Sequence, residues 1–310
     1  MTTILYTHPV CLDHDTSPNH PESANRLRKI LEALETPNFD GLIRRESPLA
    51  SLEQIQAIHP KEQVNLIFSK IPSSGYSKID ADTIVSKDSK EAALRSAGAV
   101  IAAVDSVMSQ EANNAFCAIR PPGHHAETNQ SMGFCLFNNI AIGADHVMKT
   151  YGLKKVAVID FDVHHGNGTQ EIFLKNPNLF YASTHQSPLY PGTGNVKEIG
   201  SNKNIINCPL PPGSGSKEFR EAMNSSILPS LVEFAPEFLF ISAGFDAHVK
   251  DPLAQMELNN EDFRWITEKL CEIANNCCFG RIVSALEGGY DLTALAEATA
   301  EHVETLMAAS

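Results

Sequence analysis

Short apolar segments alternate along this chain with segments whose apolar residues recur at helical spacing, and this alternation restricts the fold more than any other feature. In residues 91–108, for example, Leu94, Ala97 and Ile101 fall on one stripe of a helix. Apolar runs of strand length separated by such helices are typical of a mostly parallel sheet with helices on both faces. The pattern therefore predicts an α/β fold. The predicted strands are 1–6, 115–119, 155–163, 179–184, 238–243 and 281–286, and the predicted helices are 22–34, 91–108, 138–150, 217–232, 260–275 and 291–307.

The length and composition fit one folded unit. The chain has 310 residues, of which 43% are hydrophobic, and this is enough apolar material for a sizeable core. Its segments rich in Pro, Gly and Ser, at 47–51, 71–77 and 209–216, have the length of loops and not of linkers. Since α/β folds often reach about 250 residues or more as one unit, we predict a single domain over residues 1–310.

Composition also limits the partners and the location. No window reaches the ~18 to 20 apolar residues of a membrane span, and the first residues lack the basic flank of a targeting signal. We therefore expect a cytoplasmic protein without membrane contact. Seven cysteines without a C-x-x-C pair argue against disulfides or a thiolate zinc site. The net charge of −13 would repel nucleic acid and attract a cationic substrate, and it leaves open whether copies associate into a homo-oligomer.

Residues suited to metal binding and proton transfer follow the ends of four predicted strands. The carboxyl ends of parallel strands meet at one edge of a sheet, where ligands bind in open α/β folds. We therefore expect these segments to lie together. The first two strands run into Arg120-Pro121-Pro122-Gly123-His124-His125 and into Asp160-Phe161-Asp162-Val163-His164-His165-Gly166-Asn167-Gly168, and the other two end in Ala243-Gly244-Phe245-Asp246 and Glu287-Gly288-Gly289-Tyr290.

The second of these segments has the spacing of a metal site. Asp160, Asp162 and His164 are two residues apart, so in a strand their side chains would project to the same side. An Asp and a His placed in this way can bind one cation, with Asp246 as a third ligand. Two carboxylates and one imidazole leave a fourth position open, as in catalytic zinc sites. A lone Asp-x-His is more often a loop cap, but two carboxylates inside an apolar strand would be costly without a partner. The ligands also suit iron.

The paired histidines and one tyrosine can supply the remaining chemistry. His124 and His125 follow a Pro-Pro-Gly turn that fixes the backbone at the strand end. Beside a metal-activated water, one imidazole can take a proton and return it to a leaving amine, while its neighbour sets the local charge. Tyr290 can donate its hydroxyl to an oxyanion. Each residue taken alone has an ordinary structural explanation, so these roles depend on the metal site.

In combination and order, these segments resemble the histone deacetylase superfamily, whose members have the arginase-deacetylase fold. The resemblance extends from His20-Pro21-Glu22 to Glu287-Gly288-Gly289-Tyr290. It implies a role for each motif residue. Asp162, His164 and Asp246 would bind zinc, His125 would be the general base and acid, His124 its electrostatic partner, and Tyr290 the group that polarises the acyl carbonyl.

The resemblance also implies one or two structural potassium ions. Main-chain oxygens would be the principal ligands and suit a hard cation; they come from Asp160, Asp162, His164, Ser183 and Thr184. Asp160 would in addition orient His124. Asn167 stands where class I enzymes have an Asp that pairs with the second histidine. This departure matches the class II pattern and implies that the basicity of His125 differs from that of its counterpart in class I enzymes.

Five residues are similar to the family's substrate-binding positions. Gly133 and Phe134 resemble one wall of an acyl-lysine tunnel and Tyr190 the opposing wall, since an aromatic pair can hold an alkyl chain. Core packing would explain these residues equally well. Leu253 occupies the position at which polyamine-selective relatives have an acidic residue, which favours a lysine-like substrate. Asp82 could hold the backbone of a substrate.

The predicted function is a zinc-dependent deacetylase that hydrolyses the acylated side-chain amine of lysine in proteins or peptides. An acetylpolyamine amidohydrolase is the alternative, favoured by the acidic charge and opposed by Leu253. A ureohydrolase with two metal ions would need more Asp ligands. A non-catalytic acyl-lysine-binding scaffold would be expected to lack a ligand or Tyr290, and this sequence lacks none of them.

Overall fold

An eight-stranded sheet forms the centre of the protein. The computed structural model describes residues 2–309, so Met1 of the first predicted strand and Ser310 lie outside the described residues. The strands are β1 (Thr3–Thr7), β2 (Ile43–Glu46), β3 (Ser77–Lys78), β4 (Ile84–Val85), β5 (Asn114–Cys117), β6 (Val156–Asp160), β7 (Leu179–Gln186), β8 (Ile205–Leu210), β9 (Phe238–Ala243) and β10 (Ile282–Leu286). The sheet has the order β2-β1-β5-β10-β9-β6-β7-β8, and β3 and β4 form a separate antiparallel pair. Every neighbouring pair in the large sheet is parallel, as the alternation of apolar runs and helices predicts.

Helices cover both faces of this sheet. They are α1 (Val10–Asp13), α2 (Ala24–Ala33), α3 (Leu52–Gln56), α4 (Lys61–Ser69), α5 (Ser89–Met108), α6 (Asn139–Tyr151), α7 (Asn167–Phe173), α8 (Ser216–Ala222), α9 (Leu228–Phe234), α10 (Asn260–Cys278) and α11 (Leu292–Ala309). Alternate residues of each strand enter different cores because side chains of a strand point to opposite faces. Leu5 and Ile159 pack with α2 and α8–α11, whereas Ile4 and Val158 pack with α5, α6 and α7. The predicted α/β architecture is confirmed, while the single domain stays a prediction.

Two predicted elements end elsewhere than expected. The strand 155–163 stops at Asp160, so the prediction that Asp162 and His164 share a strand face with Asp160 was wrong. The apolar Phe161 and Val163 fit a strand pattern, but their backbone already forms a loop. The helix 217–232 is interrupted by a π-helical turn at Met223–Ile227. The chain continues as α9, and Pro229 in its first turn has no N–H to donate to the preceding turn.

The helices of residues 2–309 include none with the length and apolarity that a membrane crossing requires.

Candidate active site and metal centre

The four strands that precede the predicted functional residues are neighbours at the centre of the sheet. Their order is β5-β10-β9-β6, and all run in the same direction. The loops at their carboxyl ends therefore meet at one place. This arrangement explains why residues from 120 to 290 of the sequence can form a single site.

The predicted metal ligands converge in that place. Asp162, His164 and Asp246 each offer one ligand atom, and these atoms lie within 4.8 Å of one another. The Nδ1 atom of His164 lies 3.1 Å from Oδ1 of Asp162 and 3.1 Å from Oδ2 of Asp246. All three residues are buried. Two carboxylates and one imidazole are a suitable donor set for zinc, with a coordination position left for water or substrate.

Electrostatics and backbone contacts favour a cation between these ligands. Burial alone would lower the pKa of His164, but the carboxylates of Asp162 and Asp246 raise it to about 10, so the site attracts positive charge. The carboxylate oxygens that face away from His164 are held by main-chain donors. Gly288 N donates to Oδ2 of Asp162 at 2.7 Å and Val163 N donates to Oδ1 of Asp246 at 2.9 Å. The ligands are therefore oriented by the loop backbone.

Two glycines allow the backbone to approach these carboxylates. A Cβ atom at Gly288 would overlap Oδ2 of Asp246, and a Cβ atom at Gly244 would overlap Oδ2 of Asp162. Any side chain at either position would have to displace a ligand. The glycines thus leave room for the carboxylates of Asp162 and Asp246 in the positions from which they would bind a cation.

The Asp160 carboxylate contacts the ring of His124, while its other oxygen accepts from the main-chain N–H of Asp162 at 3.1 Å. Its Oδ2 atom lies 3.0 Å from Nδ1 of His124 and accepts a hydrogen bond of 3.0 Å from the hydroxyl of Tyr181. Residue spacing alone does not distinguish Asp160 from Asp162 as a metal ligand, and the geometry favours Asp162. Asp160 is placed to orient His124, as the resemblance implies.

His124 and His125 lie side by side with opposite electrostatic environments. Their ring centroids are 4.0 Å apart. Burial alone would lower the pKa of His124, but the carboxylates of Asp162 and Asp160 hold it well above its usual value. Burial lowers the pKa of His125 well below its usual value, and the positive His124 adds to this effect. At neutral pH the His124–His125 pair therefore combines one charged and one neutral imidazole.

The predicted partner of His125 is in contact with it. Oδ1 of Asn167 lies 2.8 Å from Nδ1 of His125. On the opposite side, a Cβ atom at Gly133 would overlap the His125 ring, and the Tyr190 ring meets it edge-on with centroids 5.2 Å apart. The imidazole is therefore closely confined.

Buried charges that the sequence analysis did not assign hold the loops in place. Oε2 of Glu287 accepts hydrogen bonds from Gly123 N at 2.7 Å and from His124 N at 3.1 Å. Burial raises the pKa of Glu287 to about 7. The carboxylate of Glu22 accepts from Arg120 and from Arg26, and all three side chains are fully buried. Glu22, Arg120 and Glu287 all lie in the motifs that carry the resemblance, and this position could have identified them as residues of the site.

Tyr290 is held from both sides. Its main-chain N–H donates to Oδ2 of Asp251 at 2.7 Å. The guanidinium of Arg26 lies over the Tyr290 ring at 4.9 Å, and its Nε donates to the carbonyl of Gly289 at 2.6 Å. Burial raises the pKa of the Tyr290 hydroxyl well above its usual value, so it stays protonated and able to donate. Asp251 and Arg26 carried no role in the sequence analysis.

The predicted substrate-binding residues lie around this site. The Phe134 ring meets that of Tyr290 edge-on, with centroids 6.0 Å apart. Tyr190 and Leu253 are partly exposed, at 38% and 37%, and Leu253 N donates to Oδ1 of Asp251. Asp82 is linked to Phe134 through Thr83, whose hydroxyl contacts both residues. The Tyr190 ring also lies against that of His164, with centroids 6.3 Å apart, so this residue adjoins the predicted metal ligands; the substrate contacts stay predictions.

The residues predicted to hold potassium are also near one another. In the pairing of β6 with β7, Asp160 lies opposite Ser183, and Thr184 is the next residue of β7. Both β7 residues are buried. The ion itself stays a prediction.

Comparisons with known proteins agree with this architecture. The family model of the histone deacetylase domain matches residues 20–306. Histone deacetylase 14, chloroplastic, of Arabidopsis thaliana is 38% identical over 98% of this chain and 76% of its own length. The histone deacetylase-like amidohydrolase of Pseudomonas aeruginosa is 37% identical over 87% of this chain and 72% of its own length. The crystal structure of the HDA15 HD domain matches with a TM-score of 0.92 and 33% sequence identity, covering 99% of this chain and 88% of that one.

Proposed function

The chain belongs to the histone deacetylase family, and from this membership we propose that it is a zinc-dependent amidohydrolase that removes an acyl group, such as acetyl, from the side-chain amine of lysine in a protein or peptide. The observation that carries the proposal is the meeting of Asp162, His164 and Asp246 within 4.8 Å of one another. The histidine pair lies beside them. Nε2 of His124 is 3.8 Å from Oδ2 of Asp162.

Asp162, His164 and Asp246 would hold the zinc. When bound, zinc lowers the pKa of a water molecule and polarises the acyl carbonyl. His125 is neutral because its pKa is lowered, so it can accept a proton from the attacking water. It can return that proton to the nitrogen of the leaving amine. The charged His124 beside it, held by Asp160, keeps His125 a weak base that gives up the proton readily.

The protonated hydroxyl of Tyr290 would donate to the carbonyl oxygen as negative charge develops there. Arg26 and Asp251 hold the main chain around this residue. Phe134 and Tyr190 would contact the alkyl chain of the substrate, because aromatic rings provide apolar contact without requiring polar partners. Leu253 offers no charge to a secondary ammonium, and this supports a lysine side chain over a polyamine.

The decisive experiment combines metal removal with a substrate panel. We expect acetyl-lysine peptides to be hydrolysed, activity to be lost on chelation, and zinc to restore it. An Asp246→Asn variant should keep the fold, as judged by circular dichroism, yet fail to recover with zinc. Full activity in metal-stripped protein would contradict the proposal.

The same panel tests two other functions. If the protein hydrolyses acetylpolyamines faster than acetyl-lysine peptides, it is a polyamine deacetylase. The net charge of −13 favours this function. Binding of acyl-lysine peptide without turnover by the zinc-loaded protein would identify a scaffold.

The proposal extends to potassium bound by main-chain oxygens of Asp160, Asp162, His164, Ser183 and Thr184. It predicts a higher melting temperature in potassium chloride than in an equal concentration of choline chloride, since an ion that binds only the folded state stabilises it. Equal melting temperatures would contradict this part.

A further inference from the structure

Three side chains form a hydrogen-bonded series that leads away from the site. Nδ1 of His125 lies 2.8 Å from Oδ1 of Asn167. Nδ2 of Asn167 donates to Oε1 of Glu127 at 2.7 Å. Asn167 is buried and Glu127 is half-buried. The function proposed above accounts for His125 and Asn167 and gives Glu127 no role.

The chemistry of these groups determines which way the Asn167 amide faces. The oxygen and nitrogen ends of an amide have nearly the same shape, so packing alone does not distinguish them. An ionised carboxylate only accepts hydrogen bonds, and Glu127 therefore requires the NH2 end of Asn167. The sulfur of Met132, a weak acceptor, lies 3.4 Å from the same nitrogen. The carbonyl end is thereby turned towards His125.

This orientation in turn determines the tautomer of His125. A carbonyl oxygen accepts and cannot donate, so Nδ1 of His125 must carry the proton. The neutral ring then has its lone pair on Nε2. If the amide were reversed, its NH2 group would favour the opposite tautomer, in which Nδ1 has the lone pair and Nε2 cannot accept a proton.

We propose that Glu127 is a positioning residue: by fixing the Asn167 amide it keeps Nε2 of His125 free to accept a proton during hydrolysis. The inference rests on the proposed hydrolase function. It assigns to Glu127, through its hydrogen bond to Asn167, control over which nitrogen of His125 accepts the proton.

Glu127 is itself held firmly enough to have this effect. Its main-chain N–H donates to the carbonyl of Gln130 at 2.8 Å, and Gln130 N donates back at 3.4 Å. Nδ1 of His59 lies 3.2 Å from the Glu127 carbonyl. The next residue, Thr128, donates from both its N–H and its hydroxyl to Glu171. The carboxylate therefore stands on a tight turn tied to two other parts of the protein.

The test is a double-mutant cycle of Glu127→Gln and Asn167→Asp. Glutamine at position 127 can donate or accept, so the Asn167 amide can take either orientation. We therefore expect kcat of Glu127→Gln to fall by about 10-fold with little change in KM, an effect of the size seen between residues in contact. Asn167→Asp alone places two carboxylates against each other and should also lower kcat. In the double variant, the introduced glutamine amide donates to the introduced carboxylate, and that carboxylate accepts from Nδ1 of His125. Its kcat should therefore recover to within about 3-fold of the original protein.

Glu62→Gln is the control, since it removes one negative charge from an exposed position of α4 that the proposal does not involve. Its kcat should be unchanged. Melting temperatures of all variants establish that they are folded. A Glu127→Gln variant with normal kcat, or a double variant no better than the two single changes multiplied together, would overturn the inference.

Nitrogen NMR of the zinc-loaded protein labelled with 15N-histidine separates this inference from the proposed function. The signals of His125 are identified by their absence in a His125→Gln variant. We expect a protonated Nδ1 in the original protein and in the double variant, and a mixture of tautomers in Glu127→Gln. If these tautomers are observed but the protein has no hydrolytic activity, the positioning role of Glu127 is supported and the proposed hydrolase function is rejected. Unchanged tautomers in Glu127→Gln would reject the positioning role whatever the activity.

Discussion

The main-chain N–H of Tyr290 donates to Oδ2 of Asp251 at 2.7 Å. The other oxygen of this carboxylate accepts from Leu253 N at 2.9 Å. Asp251 therefore connects the loop after β10, which carries the proposed carbonyl-polarising Tyr290, with the loop after β9, which carries the proposed substrate-binding Leu253. Burial raises the pKa of Asp251 to about 7, and the nearby Asp246 adds to the shift.

Asp251→Asn should lower kcat more than it raises KM. Asparagine has one carbonyl oxygen and can accept from only one of the two N–H groups, so the connection between the Tyr290 loop and the loop after β9 is weakened. A misplacement of about 1 Å can cost up to about 100-fold in rate, and we expect a loss of roughly 10- to 100-fold. Steady-state kinetics measure it. Glu257→Gln, an exposed acid in the same loop, is the control and should be normal. A rise in KM with unchanged kcat would contradict the anchoring role of Asp251.

Tyr290→Phe should lower turnover by about 100- to 1000-fold, as the loss of one oxyanion donor typically does. The ring and its contact with Arg26 remain, so folding and zinc content should be unchanged. Single-turnover kinetics with an acetyl-lysine peptide, together with metal analysis, test this expectation. Tyr151→Phe removes a hydroxyl from an exposed ring and should have no effect. Near-normal turnover in Tyr290→Phe would remove this residue from the mechanism.

Gly288→Ala should abolish tight zinc binding, because the new Cβ would overlap Oδ2 of Asp246. Competition with a fluorescent chelator measures the zinc affinity, for which we expect a loss of at least about 10-fold, as seen when the groups that orient metal ligands are disturbed. Gly41→Ala is the matched control, since its Cβ would be 3.5 Å from the nearest side-chain atom. Unchanged zinc affinity in Gly288→Ala would show that the ligands can shift without cost.

The stability of the protein should fall in acid partly through His302. This buried ring lies between the hydroxyls of Thr267 and Ser284, at 2.7 and 2.8 Å, and burial lowers its pKa to about 3. The unfolded chain takes up the proton near pH ~6.5, whereas the folded protein excludes it. The contribution of His302 is therefore complete above pH ~6.5 and is lost as pH falls, by roughly 1.4 kcal/mol per pH unit.

Urea unfolding at pH 7, 6 and 5 tests this prediction. His302→Gln should reduce the dependence of the unfolding free energy on pH by that slope. Thr267→Val removes a hydrogen-bond partner but no titrating group, so it should lower stability by a similar amount at each pH. Parallel pH profiles of the original protein and His302→Gln would exclude a contribution from His302.

The general position of the site was predictable because the carboxyl ends of parallel strands converge. The residues after β5, β6, β9 and β10 could therefore be placed together before any distance was known. The end of β6 could not be predicted, since Phe161 and Val163 continue the apolar pattern beyond the last paired residue, Asp160. Strand β8 contains Asn207 and Pro209 and lacks a clear apolar run.

Long-range polar contacts were the other part that the sequence did not predict. Glu22 and Arg120 are 98 residues apart and Arg26 and Gly289 are 263 residues apart. The identity of a buried Arg or Glu does not indicate which of many oppositely charged residues will be its partner. The Asn167 amide is similar, because its orientation follows from Glu127, a residue that carries no motif of its own.

The position of β10 between β5 and β9 has a consequence for the biosynthesis of the protein. Of the ten strands among residues 2–309, β10 is the last in sequence, yet it lies between the half-sheet that carries the histidine pair and the half-sheet that carries the metal ligands. On the ribosome, the two halves cannot be joined until residue 286 has left the exit tunnel. A chain that ends before β10 lacks the strand that joins β5 to β9, so it cannot bring the histidine pair and the predicted metal ligands together in this sheet.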